Sequence, residues 1–146
     1  MELKINLGIA NDHAGYKLKL GIKNYIEEQQ GSIVDYGTDS EDSVDYPDYA
    51  KKLVDGISQN TIQKGILICS TGIGMSIYAN RFNNIRAALC FNKEMGTLAK
   101  EHNDANILVF GSKYMNTKES ISILNSFLYA NFIGNQHINR INKLHI

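Results

Sequence analysis

Five short apolar runs alternate with segments of helical periodicity, and this alternation restricts the fold more than any other feature of the chain. The runs are Ile5 to Ala10, Ser32 to Asp35, Lys64 to Cys69, Arg86 to Phe91 and Ile107 to Gly111. Each has the length of a strand. Between and after them, apolar residues recur at helical spacing: Leu18, Ile22, Tyr25 and Ile26; Ala50, Leu53, Val54 and Ile57; Met95, Leu98 and Ala99; Ile121, Leu124, Phe127 and Leu128. The helices are expected from about Gly15 to Gln29, Pro47 to Ser58, Gly74 to Arg81, Asn92 to Glu101 and Lys118 to Asn131, with a short tail helix about 136–144. Asn11, Asp12 and Asn92 supply capping side chains, Pro47 suits a first helical turn, and Gly37 to Ser43 reads as a loop. Strands alternating with helices predict a parallel, doubly wound five-stranded sheet with helices on both faces.

At 146 residues and 43% hydrophobic composition the chain supports one domain, 1–146, with a full core. Fifteen basic and fifteen acidic residues balance, which gives no electrostatic reason for a nucleic acid or membrane partner and points to a small molecule. Two cysteines, Cys69 and Cys90, both on expected buried strands, do not form a disulfide framework and fit a reducing cytoplasm. The stretch Met1 to Ile5 lacks the apolar run of a leader, and no segment approaches the ~18 apolar residues of a membrane span.

Chemistry is expected where the third run ends in Cys69-Ser70-Thr71-Gly72-Ile73-Gly74-Met75-Ser76. Ligands of open α/β sheets bind beyond the carboxyl ends of strands, and a following helix offers unpaired N–H groups there. A phosphatase-type loop would place arginine where Met75 stands, a nucleotide loop needs a lysine absent between Gly65 and Asn80, and a dinucleotide loop needs glycine where Ile77 stands. Other polar residues are expected on the same rim: Asp12 and His13 after the first strand, Asp45 and Tyr46 after the second, His102 and Asn103 before the fifth, and Ser112 and Lys113 after it. Each also has a plainer reading. Cys69 fits an inert buried thiol, Asp12 a helix cap, Thr71 a turn, and Lys113 and Arg140 surface charges. No pair with metal-ligand spacing joins His13, His102 and His137, so no metal is expected.

Taken together, Asp12-His13-Ala14-Gly15, Asp45-Tyr46-Pro47-Asp48-Tyr49-Ala50, Gly65 to Ser76, Asn80-Arg81, Ile85-Arg86-Ala87, His102 to Asn106 and Phe110-Gly111-Ser112 resemble the sugar-phosphate isomerase family. That family includes ribose-5-phosphate isomerases of the B type and the galactose-6-phosphate isomerase subunits. The resemblance spans nearly the whole chain. It implies a Rossmann-like fold, a homodimer or dimer of dimers with sites at the subunit interface, and no metal or organic cofactor. The implied reaction joins an aldose and a ketose phosphate, ribose 5-phosphate and ribulose 5-phosphate, through a cis-enediolate. Cys69 matches the family's base, His102 with Asp12 its ring-opening pair and Thr71 its proton relay. His13, Lys113 and Arg140 match the anion-binding positions. The Ser70, Gly72, Ile73 and Gly74 backbone, Tyr46 and Asn103 complete the implied substrate contacts.

The chain departs from the pattern where Lys113 and Gln136 stand in place of arginines, a point charge and a neutral amide instead of two guanidinium forks. Family branches without the cysteine use a glutamate at the position of Ile73, so its apolar side chain favours Cys69 as base. Two alternatives stay open at the level of sequence. One is an isomerase of allose 6-phosphate or galactose 6-phosphate, and the other is a non-catalytic sugar-phosphate sensor. Retention of Cys69, Thr71 and His102 together argues against the sensor.

Overall fold

A computed structural model describes residues 5–145. Met1 to Lys4, part of the stretch read above as lacking a leader's apolar run, and Ile146 lie outside the described residues. The strands are β1 (Leu7–Asn11), β2 (Ile33–Asp35), β3 (Lys64–Cys69), β4 (Ala87–Leu89) and β5 (Ile107–Gly111). The helices are α1 (Tyr16–Glu28), α2 (Tyr46–Ser58), α3 (Ile73–Ala79), α4 (Lys93–Glu101), α5 (Thr117–Tyr129) and α6 (Gln136–Asn142). All strand pairs are parallel, in the order β2-β1-β3-β5-β4. The doubly wound α/β sheet expected from the alternation is thus the observed one, in a single domain. No helix among the described residues is long and apolar enough to cross a membrane.

Side chains alternate across the central strand, which is why it reads as one unbroken apolar run: buried on both faces, it has no solvent side. Ile66 and Ile68 join Leu18, Ile22 and Ile26 of α1 and Ile123, Leu124 and Phe127 of α5 on one face. Leu67 and Cys69 join Leu53 and Val54 of α2 and Met75 and Ala79 of α3 on the other.

The differences from expectation lie at edges. β4 is three residues long instead of the six of Arg86 to Phe91, because it lies at the sheet edge and pairs only with β5. Its outer side is closed at Ala87 by a side chain: the Asn80 amide donates to the Ala87 carbonyl (2.9 Å) and accepts from the Ala87 N–H (2.8 Å). Cys90 therefore lies one residue past the strand, still buried. Asp12 caps a 3-10 turn, His13–Gly15, ahead of α1. Asn11 is not a cap, since its Nδ2 donates to the carbonyls of Asp12 and Thr38.

The chain leaves β1 toward one edge of the sheet and β3 toward the other, so the crevice at their carboxyl ends is the topological switch point where ligands bind in such sheets. Asp12 N–H donates to the Ile68 carbonyl (3.2 Å), which brings the end of β1 against the end of β3.

Candidate active site

At the carboxyl edge, the turn after β3 is shaped around its cysteine. Gly72 has φ +78°, a left-handed conformation that strains other residues, and a Cβ there would lie 2.5 Å from Leu89. That turn aims the Gly72 N–H at Cys69 Sγ (3.2 Å), placing a donor where negative charge on sulfur would be held. The Thr71 hydroxyl accepts from the Ile73 N–H (3.2 Å). The first turn of α3 leaves the N–H groups of Gly74 and Met75 without an acceptor inside the helix. Gly74 lets Tyr46 close over this turn, since a Cβ there would stand 2.5 Å from the Tyr46 ring.

Asp12 is buried, and its Oδ1 accepts from the N–H groups of Ala14 (3.0 Å) and Gly15 (3.2 Å), leaving Oδ2 outside the cap. His13 Nδ1 accepts from the Val44 N–H (3.1 Å), which assigns the ring proton to Nε2 and makes that nitrogen the donor available to a ligand. The Lys113 N–H donates to the Ser70 carbonyl (2.9 Å), so the exposed lysine stands beside the cysteine turn. Asp12, His13, Tyr46, Cys69 to Gly74 and Lys113 therefore share one edge.

His102, Asn103 and Arg140 do not join them within this chain, which corrects the expectation of a single rim. Helix α4 leaves the carboxyl end of β4 and runs back to the start of β5, so His102, which caps its C-terminus, arrives at the amino edge. The paired ends Gly65↔Ile107 and Cys69↔Gly111 mark the two edges, roughly 13 Å apart at ~3.3 Å per residue. At the amino edge, His102 stacks on His137, with ring centroids 4.3 Å apart and planes 14° from parallel. His102, Asn103, His137 and Arg140, with Ile141 and Leu144, line an open pocket of about 220 Å³. Burial and the neighbouring His102 and Arg140 hold the His137 imidazole below its ordinary pKa. This edge gathers one guanidinium and two imidazoles around a space suited to an anion.

From sequence, His137 is weighed only as a metal ligand, and no role is assigned to Arg86 or Lys19. His137 reaches His102 because α6 folds back on the end of α4, helped by an Ile133 N–H bond to the Glu101 carbonyl (3.0 Å). Neither spacing nor periodicity signals such a contact. Among the described residues, no group of three or more His, Cys, Asp or Glu is placed to hold a metal ion.

A thiol, a carboxylate, an imidazole and a hydroxyl around a glycine turn that fits no nucleotide loop define a class, an α/β enzyme whose carboxyl edge carries groups suited to general acid–base chemistry. A family model described as Ribose/Galactose Isomerase matches residues 7–144, and the chain belongs to that family. It is similar to the structure of a ribose 5-phosphate isomerase from Thermotoga maritima, with 46% identity, 98% of this chain and 99% of that chain covered, and a TM-score of 0.96. It is also similar to a Mycoplasma genitalium ribose-5-phosphate isomerase B structure with bound ribulose-5-phosphate, at 37% identity, 97% and 95% coverage and a TM-score of 0.91. Ribose-5-phosphate isomerase B of Escherichia coli is 36% identical over 133 residues, 91% of this chain and 89% of that protein.

Proposed function

We propose that this chain interconverts D-ribose 5-phosphate and D-ribulose 5-phosphate in the cytoplasm, as a homodimer whose active site takes the carboxyl edge of one subunit and the amino edge of the other. The observation that carries this reading is the division of the acid–base groups between two edges of one chain that belongs to a sugar isomerase family. Each edge is half a site. A two-fold dimer completes both halves at once.

In this reading the phosphate lies between His13 and Lys113 of one subunit and Arg140 and His137 of the partner subunit. His102 of the partner subunit, with Asp12, takes the proton of the anomeric hydroxyl and returns one to the ring oxygen, which opens the furanose. The Cys69 thiolate removes the proton on C2, and the electron pair forms the C1–C2 double bond of a cis-enediolate. Backbone N–H groups of the Ser70 to Gly74 turn hold the charge on O1. Thr71 passes the O2 proton to O1, and the Cys69 thiol returns its proton to C1. The ketose carbonyl then stands at C2. Tyr46, Ile73 and Asn103 enclose the sugar.

Purified protein offered ribose 5-phosphate, allose 6-phosphate and galactose 6-phosphate, with chelator present, tests the reading. Turnover of ribose 5-phosphate is expected, with kcat lowered about 10³-fold in Cys69→Ala, the scale of a lost general base. Turnover of the six-carbon phosphates alone overturns the substrate, an unaffected Cys69→Ala overturns the base, and loss of activity to chelator overturns the metal-free chemistry.

A further inference from the structure

The Asn80-Arg81 and Ile85-Arg86-Ala87 segments have no part in the chemistry above, yet one of them reaches the half-site at the amino edge. Arg86 Nε donates to the carbonyl oxygens of Asn103 (3.0 Å) and Asp104 (3.0 Å), and one Nη donates to the Asp104 carbonyl as well (2.8 Å). These are the residues that immediately follow His102. Asp104 has φ +45°, the left-handed region, and this reversal turns the chain from α4 into β5. The Asp104 carboxylate adds only a long contact to Arg86 Nη (3.5 Å) and pairs more closely with Lys100.

Arg86 is itself anchored by its backbone. Its N–H donates to Asn106 Oδ1 (2.9 Å), and its carbonyl accepts from the N–H groups of Asn106 (3.1 Å) and Ile107 (3.3 Å). The next residue, Ala87, is fixed by the Asn80 amide. A rigid strand end thus presents a planar fork to two carbonyls of a strained turn, and that turn follows the imidazole whose orientation matters. We propose that Arg86 is a positioning residue of this enzyme. Its guanidinium grips the Asn103 and Asp104 carbonyls and so fixes where His102 and Asn103 stand against the substrate. The role given to His102 rests on the function proposed above.

Only a planar fork can serve two carbonyls this way, so Arg86→Lys keeps the charge and loses the grip. The full-length protein is assayed as wild type, Arg86→Met, Arg86→Lys, Arg86→Ala and Asp104→Asn, with melting temperatures and the NMR signals of the His102 ring recorded for each. Arg86→Met is expected to lower kcat about 100-fold, the scale of an ångström of misplacement, with a smaller change in KM. Arg86→Lys is expected to stay near Arg86→Met in kcat while keeping a wild-type melting temperature and a shifted His102 ring signal. Asp104→Asn removes only the ion pairs and is expected to keep kcat within about threefold. Methylguanidinium added to Arg86→Ala is expected to restore part of the lost rate.

Wild-type kcat and His102 signals in Arg86→Lys would overturn the proposal. So would an Asp104→Asn as impaired as Arg86→Met, because the ion pair and not the carbonyl grip would then be at work. Should Arg86→Met not fold, Arg86→Lys decides. The ring signals need no substrate, so they read the position of His102 even where no sugar phosphate turns over, the outcome that defeats the proposed function instead.

Discussion

Two cysteines of one chain occupy similar sequence settings and are both buried, but only one has a hydrogen-bond donor on its sulfur. Cys69 ends β3 with the Gly72 N–H on its sulfur, whereas burial alone pushes the Cys90 thiol up to about 11. At pH 8 Cys90 is protonated in the folded protein and should resist alkylation. Native protein treated with iodoacetamide and digested for mass spectrometry should carry the label on Cys69, and on Cys90 only after denaturant is added. A thiol raised from 9.0 to about 11 keeps its proton in the folded state, so this site lowers stability as pH rises above 9 and contributes no change near neutrality. His13 is a second case in which environment assigns the role, because its Nδ1 is already engaged by Val44 and only Nε2 is left to meet an anion.

The loop between β2 and α2 delivers Tyr46 to the site, and it is tied down at both ends. At its far end the Val44 N–H meets His13. At its near end Lys19, 1% exposed on α1, donates to the Thr38 carbonyl (2.5 Å) and pairs with Asp35 (3.2 Å). A buried ammonium is tolerable only with such partners. Burial works to raise the Asp35 carboxyl, but the Gly37 N–H, Lys23 and Lys19 outweigh it, and its pKa lies below the ordinary 3.8. The stability this pair contributes is therefore complete above about pH 4 and is lost as pH falls through the depressed folded value. Thermal melts should show wild type losing stability below pH 4 more steeply than Asp35→Asn. At pH 7 that variant should be weaker by about 1 kcal/mol, since Asp35 is partly exposed and Lys19 keeps the Thr38 carbonyl. The helical pattern of α1 announced Leu18, Ile22 and Ile26 as buried, and they are, but it gave no hint of Lys19. Periodicity identifies the buried face of a helix and says nothing of a lysine that threads past it to a loop carbonyl.

For the whole molecule the proposed site makes a demand that no single chain meets. Co-expressed Cys69→Ala and His102→Ala chains, each inactive alone, should form hybrid dimers in which one site is intact and the other doubly altered. Random pairing then restores about a quarter of wild-type activity. No recovery would mean that each chain works alone. The single rim expected from sequence divides in two for a topological reason. Residues that follow a strand lie at the carboxyl edge, whereas residues that follow a crossover helix have already returned to the amino edge, as His102 has.

By itself the sequence determined the five strands, their alternation with helices, the parallel doubly wound class and the glycine turn at Cys69. Those depend on interactions within a dozen residues or fewer, namely apolar period, caps and turn glycines. Only the tertiary structure decided the order β2-β1-β3-β5-β4, the stacking of His137 on His102, the reach of Arg86 to two carbonyls and the division of the acid–base groups between two edges. Each depends on where groups distant in sequence come to rest. Such contacts are made by donors and acceptors on backbone whose path is settled only once both faces of the sheet are packed.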